Sequence, residues 1–405
     1  MNASIPQPEP NLTPDEIVDR ARAMVPVLRE RSAETEQLRT LPQQTVQDCV
    51  DAGFYRILQP RRFGGYEFGL RTFCDVMKHL SRGCTSTGWV LTLTSAHTFH
   101  LGAFPEAGQE EIYGEDGDFR SPLIFAPQGT ATPADGGYRL TGRWNYNSGG
   151  EHANWLAVNA AVPGDSPEGP PEDFLMTWIR REDYEIFDNW NVVGMRGTGP
   201  KQAIVNDVFV PQHRTISQPG WFAGDAPGYG VHEDPFYRTP PLEVFCAEVG
   251  CVCIGLGEAA IDAYYDRVMT KQNPFPPFDL LREERSAQRR LGYARARVDA
   301  ASAIHDYIVN HQAEYAVQAA EGTLEFSAER RRRILMLTQQ IARNIGEAVD
   351  LLFDASGTSA VQSGQLMERL YRDLATIRTH YFFDVDRCAE NWGATFLGLE
   401  AYSTY

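Results

Sequence analysis

Residues 136–155 read GGYRLTGRWNYNSGGEHANW, and this stretch decides how the chain is organised. A Gly-Gly turn signal opens it, and aromatic and apolar residues then alternate with polar ones as far as Tyr146. Alternation with a period of two predicts a β-strand, and the following NSGG segment predicts a turn. Further strand-like runs lie at 155–162, 174–179 and 202–210. We therefore predict a β domain of short strands over residues 119–215.

Helical patterns flank this β domain on both sides. Thr13-Pro14-Asp15-Glu16 predicts a helix start, with a threonine cap, proline at the first position and glutamate at the third. Residues 1–118 predict further helices at 42–52, 70–80 and 86–100. Residues 216–405 predict a linker and then a helical bundle, in which one helix face carries Ile334, Leu337, Ile341, Ile345 and Leu352. The order predicts an α+β protein that is mostly α.

The connector at 214–241 is rich in proline, glycine and aromatic residues. A long loop inside a compact protein is typically functional, and we interpret this one as a functional segment or a lid.

Composition restricts the class of partner and the compartment. The chain has 405 residues, a formal charge of −17 and a pI of about 5.0, which disfavours nucleic acids and anionic membranes as partners. Seven cysteines, an odd number without a C-x-x-C pair, favour a reducing compartment. The N-terminus lacks signal-peptide features, and the longest apolar run, 249–257, is too short to cross a membrane. We expect a soluble cytoplasmic protein.

The sequence contains a possible dinucleotide-binding motif and a possible metal-binding pair of histidines. Residues 255–260 match G-x-G-x-x-A, but a dinucleotide site needs a strand ending in an acid about 20 residues later, and 273–277 is instead NPFPP. We interpret these glycines as a helix–helix contact. His97 and His100 would share a helix face, but no carboxylate lies beside them at metal-ligand spacing, so we predict no metal site.

Four stretches, in order along the chain, carry a family resemblance. They are 84–90 (CTSTGWV) followed by His97; 137–149 with Ala153 and Trp155; 194–199 (GMRGTG) with 207–211 (DVFVP); and Arg372-Asp373 with His380. With them, residues 41–393 resemble the acyl-CoA dehydrogenase superfamily, and within it the group D two-component flavin-dependent monooxygenases of the p-hydroxyphenylacetate 3-hydroxylase type. The resemblance implies an N-terminal helical domain, a central β-barrel domain and a C-terminal helical bundle.

The same resemblance implies an activity. It would be the oxygenase component of a two-component system, hydroxylating a small aromatic, phenolic molecule through a flavin C4a-hydroperoxide. Reduced flavin, FADH2 or FMNH2, would come from a separate flavin reductase, and O2 would be the co-substrate. Such chemistry needs a dry site, because water and stray protons release hydrogen peroxide. The resemblance also implies a homotetramer with flavin often lying between subunits.

Site residues follow from the resemblance, residue by residue. His97 would face the substrate oxygen, Ser148 would bond the flavin near N5, and His380 would lie near C4a; these are the predicted catalytic residues. The predicted flavin contacts are Phe125, Trp144, Ser148, Gly357, Thr358, Ser359 and His380. The predicted substrate contacts are His97, Phe99 and Phe382. Without the resemblance, Trp144 is equally typical of a strand core, Ser148 of a turn, and the two histidines of a protein interior.

Two other functions stay open at this point. An acyl-CoA dehydrogenase would need a carboxylate base, yet no glutamate lies between Glu368 and Glu390, which leaves Asp384 or Glu248. A non-catalytic helical scaffold would bind no flavin.

The sequence also departs from the family in places. Pro200 and Gln202 replace small polar and acidic residues, Phe382 stands where one relative has tyrosine, and only Lys271 could replace an arginine that reaches a neighbour's flavin phosphate. The substrate and the choice between FAD and FMN stay open.

Overall fold

The structure, a computed structural model, describes residues 5–164, 166, 169–277 and 279–400. Its N-terminal part is helical. The helices are α1 (Pro14–Leu38), α2 (Gln43–Asp51), α3 (Gly69–Gly83), α4 (Thr85–Ser95), α5 (His97–Leu101) and α6 (Glu106–Tyr113).

The start of α1 is the predicted one. The Thr13 hydroxyl accepts a hydrogen bond from the Glu16 N–H at 3.3 Å, and the Glu16 carboxylate accepts one from the Thr13 N–H at 2.9 Å. This reciprocal capping box confirms the helix start. The single helix predicted over 86–100 is instead two helices, α4 and α5, which meet at Ala96.

Seven strands form one mixed sheet. They are β1 (Leu123–Ala134), β2 (Gly137–Asn147), β3 (Trp155–Val162), β4 (Asp173–Arg180), β5 (Glu185–Phe187), β6 (Lys201–Pro211) and β7 (Thr215–Ser217). The order is β5-β6-β2-β1-β3-β4-β7, and β1 pairs with β3 in parallel. Closure into the predicted barrel needs the two outermost strands to pair, and among the described residues β5 and β7, each only three residues long, end the sheet without pairing to each other, so a closed barrel is not shown.

The C-terminal part is a helical bundle around one central helix. Its helices are α7 (Gln218–Ala223), α8 (Pro241–Thr270), α9 (Arg285–Glu321), α10 (Ala328–Asp354), α11 (Leu366–Ile377) and α12 (Val385–Leu397). The Ile334, Leu337, Ile341, Ile345 and Leu352 stripe lies on α10 and packs into the core. The exact domain boundaries stay a prediction.

Helix α8 is more apolar than the run at 249–257 suggested. Within the described part of the chain it is the one helix long and apolar enough to span a membrane, with a mean hydropathy of 1.8 over its best window. Because 89% of that window is buried inside the protein, α8 is a core helix.

The glycines of the G-x-G-x-x-A match are helix contacts, as predicted. A Cβ on Gly255 would lie 2.4 Å from the Lys78 carbonyl oxygen of α3, and one on Gly257 would lie 2.7 Å from Ile345 of α10. Glycine lets the backbones of α3 and α8 approach closely at Gly255 and leaves room for the Ile345 side chain at Gly257, which confirms the structural interpretation of the motif.

The connector at 214–241 is ordered into elements rather than a free loop. It contains β7, α7 and a short 3-10 turn at Pro235–Arg238. The Gly228 N–H donates to the Ala103 carbonyl at 2.9 Å, and the Tyr237 hydroxyl donates to the Leu58 carbonyl at 2.8 Å. These bonds attach the connector to the N-terminal helical part of the chain.

Candidate active site

The four stretches that carry the resemblance meet in space. The turn after β2 lies on α4, where a Cβ on Gly149 would be 2.7 Å from Val90, and the Gly149 N–H donates to the Thr198 carbonyl at 3.1 Å. The 194–199 segment touches α4 too, since a Cβ on Gly197 would be 3.0 Å from Ser86. Stretches far apart in sequence therefore form one junction between the sheet and the helices.

Helix α11 completes this junction. The buried Asp373 carboxylate accepts a hydrogen bond from the Met195 N–H at 2.6 Å, and a Cβ on Gly194 would lie 2.0 Å from the Arg372 carbonyl oxygen. Arg372 itself bonds Glu36 of α1 at 2.6 Å. The Arg-Asp pair therefore has a positioning role: it attaches the 194–199 segment to the bundle.

Beside the junction lies a chain of aromatic rings that connects His97 to His380. Phe245 of α8 stands between them, with ring centroids 6.3 Å from His97 and 6.0 Å from Phe382. Phe382 lies 5.3 Å from His380, which contacts Trp89 edge-on at 5.5 Å. The two predicted catalytic histidines thus share one apolar environment but occupy opposite ends of it.

Further aromatic side chains close this environment. Phe125 of β1 contacts both Phe222 and Phe245, at 5.2 and 5.8 Å between ring centroids. Trp221 from the connector contacts His100 at 5.3 Å, and Phe99 contacts the same ring at 5.1 Å. The predicted substrate contacts Phe99 and Phe382 therefore belong to the walls that surround the histidines, as does the connector.

His97 has its proton position fixed by the backbone. Its Nδ1 lies 2.7 Å from the Ser121 carbonyl oxygen, which can only accept, so Nδ1 carries the proton and Nε2 presents a lone pair. Burial lowers the pKa of His97 to about 4, although the bond to Ser121 raises it. The ring is therefore neutral at pH 7 and able to accept a proton at Nε2.

His380 has the opposite arrangement. Its Nδ1 accepts a hydrogen bond from the Phe382 N–H at 3.3 Å, so in the neutral ring the proton is on Nε2. Burial lowers the pKa of this ring as well. The site therefore offers a proton acceptor at one end and a neutral N–H donor at the other.

Ser148 lies at the junction, in the turn between β2 and β3, and is nearly buried. Its N–H donates to the Tyr146 carbonyl at 2.8 Å. Beside it, both amide atoms of Asn147 are buried without a described partner. Unpaired neutral donors and acceptors of this kind fit the polar edge of a flavin ring and add no charge.

Comparison with known proteins agrees with this geometry. Residues 14–113 match the acyl-CoA dehydrogenase N-terminal domain family, and residues 247–385 match the acyl-CoA dehydrogenase C-terminal domain family. The oxygenase subunit HsaA of a flavin-dependent monooxygenase from Rhodococcus jostii (strain RHA1) is 33% identical over 390 residues, covering 96% of this chain and 100% of the relative. The chain belongs to the two-component flavin-dependent monooxygenases.

Two more relatives place this monooxygenase within its family. The oxygenase component of an FADH2-dependent resorcinol hydroxylase from Rhizobium sp. (strain MTP-10005) is 30% identical, covering 99% of this chain and 98% of the relative. XiaF from Streptomyces sp., solved in complex with FADH2 and glycerol, superposes with a TM-score of 0.86 at 27% identity, covering 96% of this chain and 97% of that one.

Trp144 of the monooxygenase lies elsewhere. Its ring is fully buried in the core of the sheet, among Leu140, Leu156 and Val158, and its Nε1 donates to the Asn159 carbonyl at 2.7 Å. This ring packs in the core of the sheet rather than among the aromatic rings around the histidines, and its contact with flavin stays a prediction.

The predicted flavin contacts Gly357, Thr358 and Ser359 are also remote from the histidines within one chain. They follow α10, where the Ser359 hydroxyl accepts a bond from Arg267 at 2.8 Å. Arg267 lies 22 residues beyond Phe245 on α8, a separation of about 33 Å at 1.5 Å per residue. One chain therefore does not bring the two groups together.

The structure also shows residues that sequence reasoning missed. Glu248 of α8 lies beside His97 and His100, so the prediction that no carboxylate stands near these histidines is wrong in three dimensions. A glutamate flanked by apolar residues on both sides was the available signal, since charged residues are rarely fully buried. Asp384, the other open candidate for a dehydrogenase base, instead caps α12 through the Arg387 N–H.

Proposed function

We propose that this monooxygenase hydroxylates a small phenolic compound, using FADH2 and O2. The observation that carries the proposal is the pair of neutral histidines with opposite proton positions at the two ends of one aromatic environment. One relative is an FADH2-dependent resorcinol hydroxylase and another, XiaF, was solved with FADH2 bound. Together they support an aromatic substrate and FADH2 as the flavin for this protein.

Each end of the site would have its own role. When bound, reduced flavin supplies the two electrons for activating O2. His97 would take the phenolic proton at Nε2, because a phenol becomes more nucleophilic when it ionises. Ser148, the Asn147 amide and the Nε2–H of His380 would hold the flavin ring through neutral hydrogen bonds. The surrounding phenylalanine and tryptophan rings would exclude water.

The remote group at 357–359 suggests an assembly. If Gly357, Thr358 and Ser359 contact flavin, they would do so at the site of a neighbouring copy, because their own site is about 33 Å away along α8. A homotetramer whose C-terminal helices pack together would supply this arrangement. Light scattering of the full-length protein at micromolar concentration should give four times the chain mass, and a monomer would contradict it.

The family also implies a separate flavin reductase as partner, through transfer of diffusing flavin or direct contact. The composition and the buried free thiols support a reducing, cytoplasmic location.

The test supplies photoreduced FAD and isotopically labelled O2 to the purified protein with a panel of phenols. We expect a hydroxylated product that contains one labelled oxygen atom. NADH alone should give no turnover, because the reductase is a separate protein. Oxidation of acyl thioesters without incorporation of labelled oxygen would instead favour the acyl-CoA dehydrogenase alternative.

A further inference from the structure

A cluster of buried polar side chains lies among the aromatic rings around His97 and His100. One ring nitrogen of His97, one of His100 and one carboxyl oxygen of Glu248 all lie within 4.8 Å of one another, and the three side chains are fully buried. His97 and His100 come from α5, and Glu248 comes from α8. The site as described so far uses only His97 from this cluster.

The polar atoms of two members of this cluster, His100 and Glu248, lack hydrogen-bond partners in the described part of the chain. Both ring nitrogens of His100 and both carboxyl oxygens of Glu248 are buried without a hydrogen bond in the described part of the chain. The shortest approach between them, His100 Nε2 to Glu248 Oε1, is 3.4 Å. Four unpaired buried polar atoms are costly, so their retention points to a ligand that satisfies them.

The spacing fits one oxygen atom. For three atoms no more than 4.8 Å apart, some point lies within about 2.8 Å of all of them, which is hydrogen-bond distance for an oxygen. The ring nitrogen of His97 that is free to accept a proton is Nε2, since its Nδ1 proton is held by Ser121. A hydroxyl group placed at this point could donate to His97 and accept from the other two groups.

Protonation of the cluster suits that role. Burial raises the pKa of the Glu248 carboxyl well above its usual range and lowers the pKa of His100 well below its own. Both shifts favour the uncharged forms, in which Glu248 offers an O–H and His100 offers an N–H. The thiols of Cys74 on α3 and Cys246 on α8 also interact with Glu248, and burial raises the pKa of both.

We propose that His100 and Glu248 form an oxyanion site for the phenolic oxygen of the substrate, opposite the proton acceptor His97. The phenol O–H bond breaks, its proton forms a bond with His97 Nε2, and the electron pair stays on oxygen. That oxygen then accepts hydrogen bonds from Glu248 O–H and His100 N–H, while Ser121 stabilises the His97 imidazolium. The inference rests on the proposed function, because an oxyanion site of this kind is useful only if the substrate is a phenol.

A binding measurement without turnover tests this proposal. 4-Nitrophenol is titrated into the full-length protein, with and without FADH2 under anaerobic conditions, and its ionisation is followed by visible absorbance. We expect the bound phenol to ionise at lower pH than the free one. Glu248→Leu should weaken phenolate binding about 10- to 100-fold, the range for a lost hydrogen bond to a charged group. Glu248→Gln, which keeps a donor, should retain most of it.

Glu243 supplies the matched control. It lies on the same helix, is equally buried and also has both carboxyl oxygens unpaired, but it is outside the cluster. Glu243→Gln should bind nitrophenolate like the unaltered protein. Equal losses in Glu243→Gln and Glu248→Leu would assign the effect to α8 as a whole and overturn the proposal.

The remaining outcomes are equally decisive. Absence of saturable binding, or binding of the neutral phenol alone, would overturn the oxyanion site. Loss of the phenolate signal on adding a chelator would mean that a divalent cation holds the oxygen, which would also overturn it. Phenolate binding without hydroxylation of any phenol would sustain this site and reject the proposed function.

Discussion

The Asp373 carboxylate accepts a 2.6 Å hydrogen bond from the Met195 N–H, and this bond helps to join α11 to the segment that supports the β2–β3 turn. Met195 has a left-handed backbone with φ of 53°, which is unusual for a non-glycine residue. The bond therefore holds a strained turn against the helical bundle.

Asp373 should make stability depend on pH. Burial raises its pKa to about 7, although the Met195 N–H lowers it. In the unfolded chain this carboxyl has a pKa of about 3.9. Its contribution to the free energy of unfolding is therefore full below pH 4 and is lost as the pH rises to about 7. Asp373→Asn should raise the free energy of unfolding by roughly 1–4 kcal/mol at pH 8 and leave it unchanged at pH 4. Urea melts at both pH values would check this, and equal effects at the two would contradict it.

His97→Ala should separate oxidation of FADH2 from hydroxylation. The variant keeps the flavin end of the site but lacks the proton acceptor, so product formation should fall about 10²- to 10⁴-fold. Hydrogen peroxide released per FADH2 consumed should rise correspondingly. The control is His311→Ala, which changes a histidine of α9 that is bonded to Glu314. This variant should form as much product per FADH2 consumed as the unaltered protein.

Ser148→Ala and His380→Ala should affect the flavin end instead. Both remove a neutral hydrogen-bond partner of the flavin, so we expect weaker FADH2 binding by anaerobic fluorescence titration and more hydrogen peroxide release. Binding of a phenol in the absence of flavin should be unchanged in both. If phenol binding fell with flavin binding intact, the two ends would have been assigned the wrong way round.

Gly255→Leu should destabilise the fold strongly. A Cβ there would lie 2.4 Å from the Lys78 carbonyl oxygen and 2.5 Å from the Ser81 Cβ, so α3 and α8 would have to separate. We expect a loss of about 1–3 kcal/mol or more in the free energy of unfolding. Gly292→Ala is the control: no atom lies within 4 Å of its Cβ position on α9, and it should stabilise the protein slightly.

Subunit mixing should reveal a flavin site shared between copies. His97→Ala disables the histidine end of the site, and Gly357→Val disables the 357–359 segment. Gly357 has a φ of 69°, which a β-branched residue does not tolerate. If both groups serve one site from different copies, random co-assembly of the two variants would leave about a quarter of sites intact. Activity of the co-expressed mixture near that of the separate variants would contradict a shared site.

The sequence predicted local features and close helix contacts well. The capping box at Thr13 and the close approach of helices at Gly255 and Gly257 depend on neighbouring residues or on residue size, and both are confirmed. The family resemblance named the four stretches that prove to meet at one junction. The site assignments built on those stretches stay predictions.

Other features depend on tertiary structure and were beyond sequence reasoning. The contact between His100 and Glu248 joins residues 148 positions apart, and local spacing rules describe only ligands on one element. Sheet closure depends on whether the edge strands β5 and β7 meet, which alternation within single strands does not encode. Trp144 has the alternation of a strand residue, but that pattern does not distinguish a ligand-facing side from a core-facing side.

The apolar character of α8 has a consequence for how the protein is made. Helix α8 is hydrophobic enough to enter a bilayer, and it leaves the ribosome after α3. In the folded protein α8 packs against α3 at Gly255. The N-terminal helices are therefore complete before α8 emerges and can shield it during synthesis. Truncated chains that lack α3 would expose α8 to aggregation and to the machinery that inserts proteins into membranes.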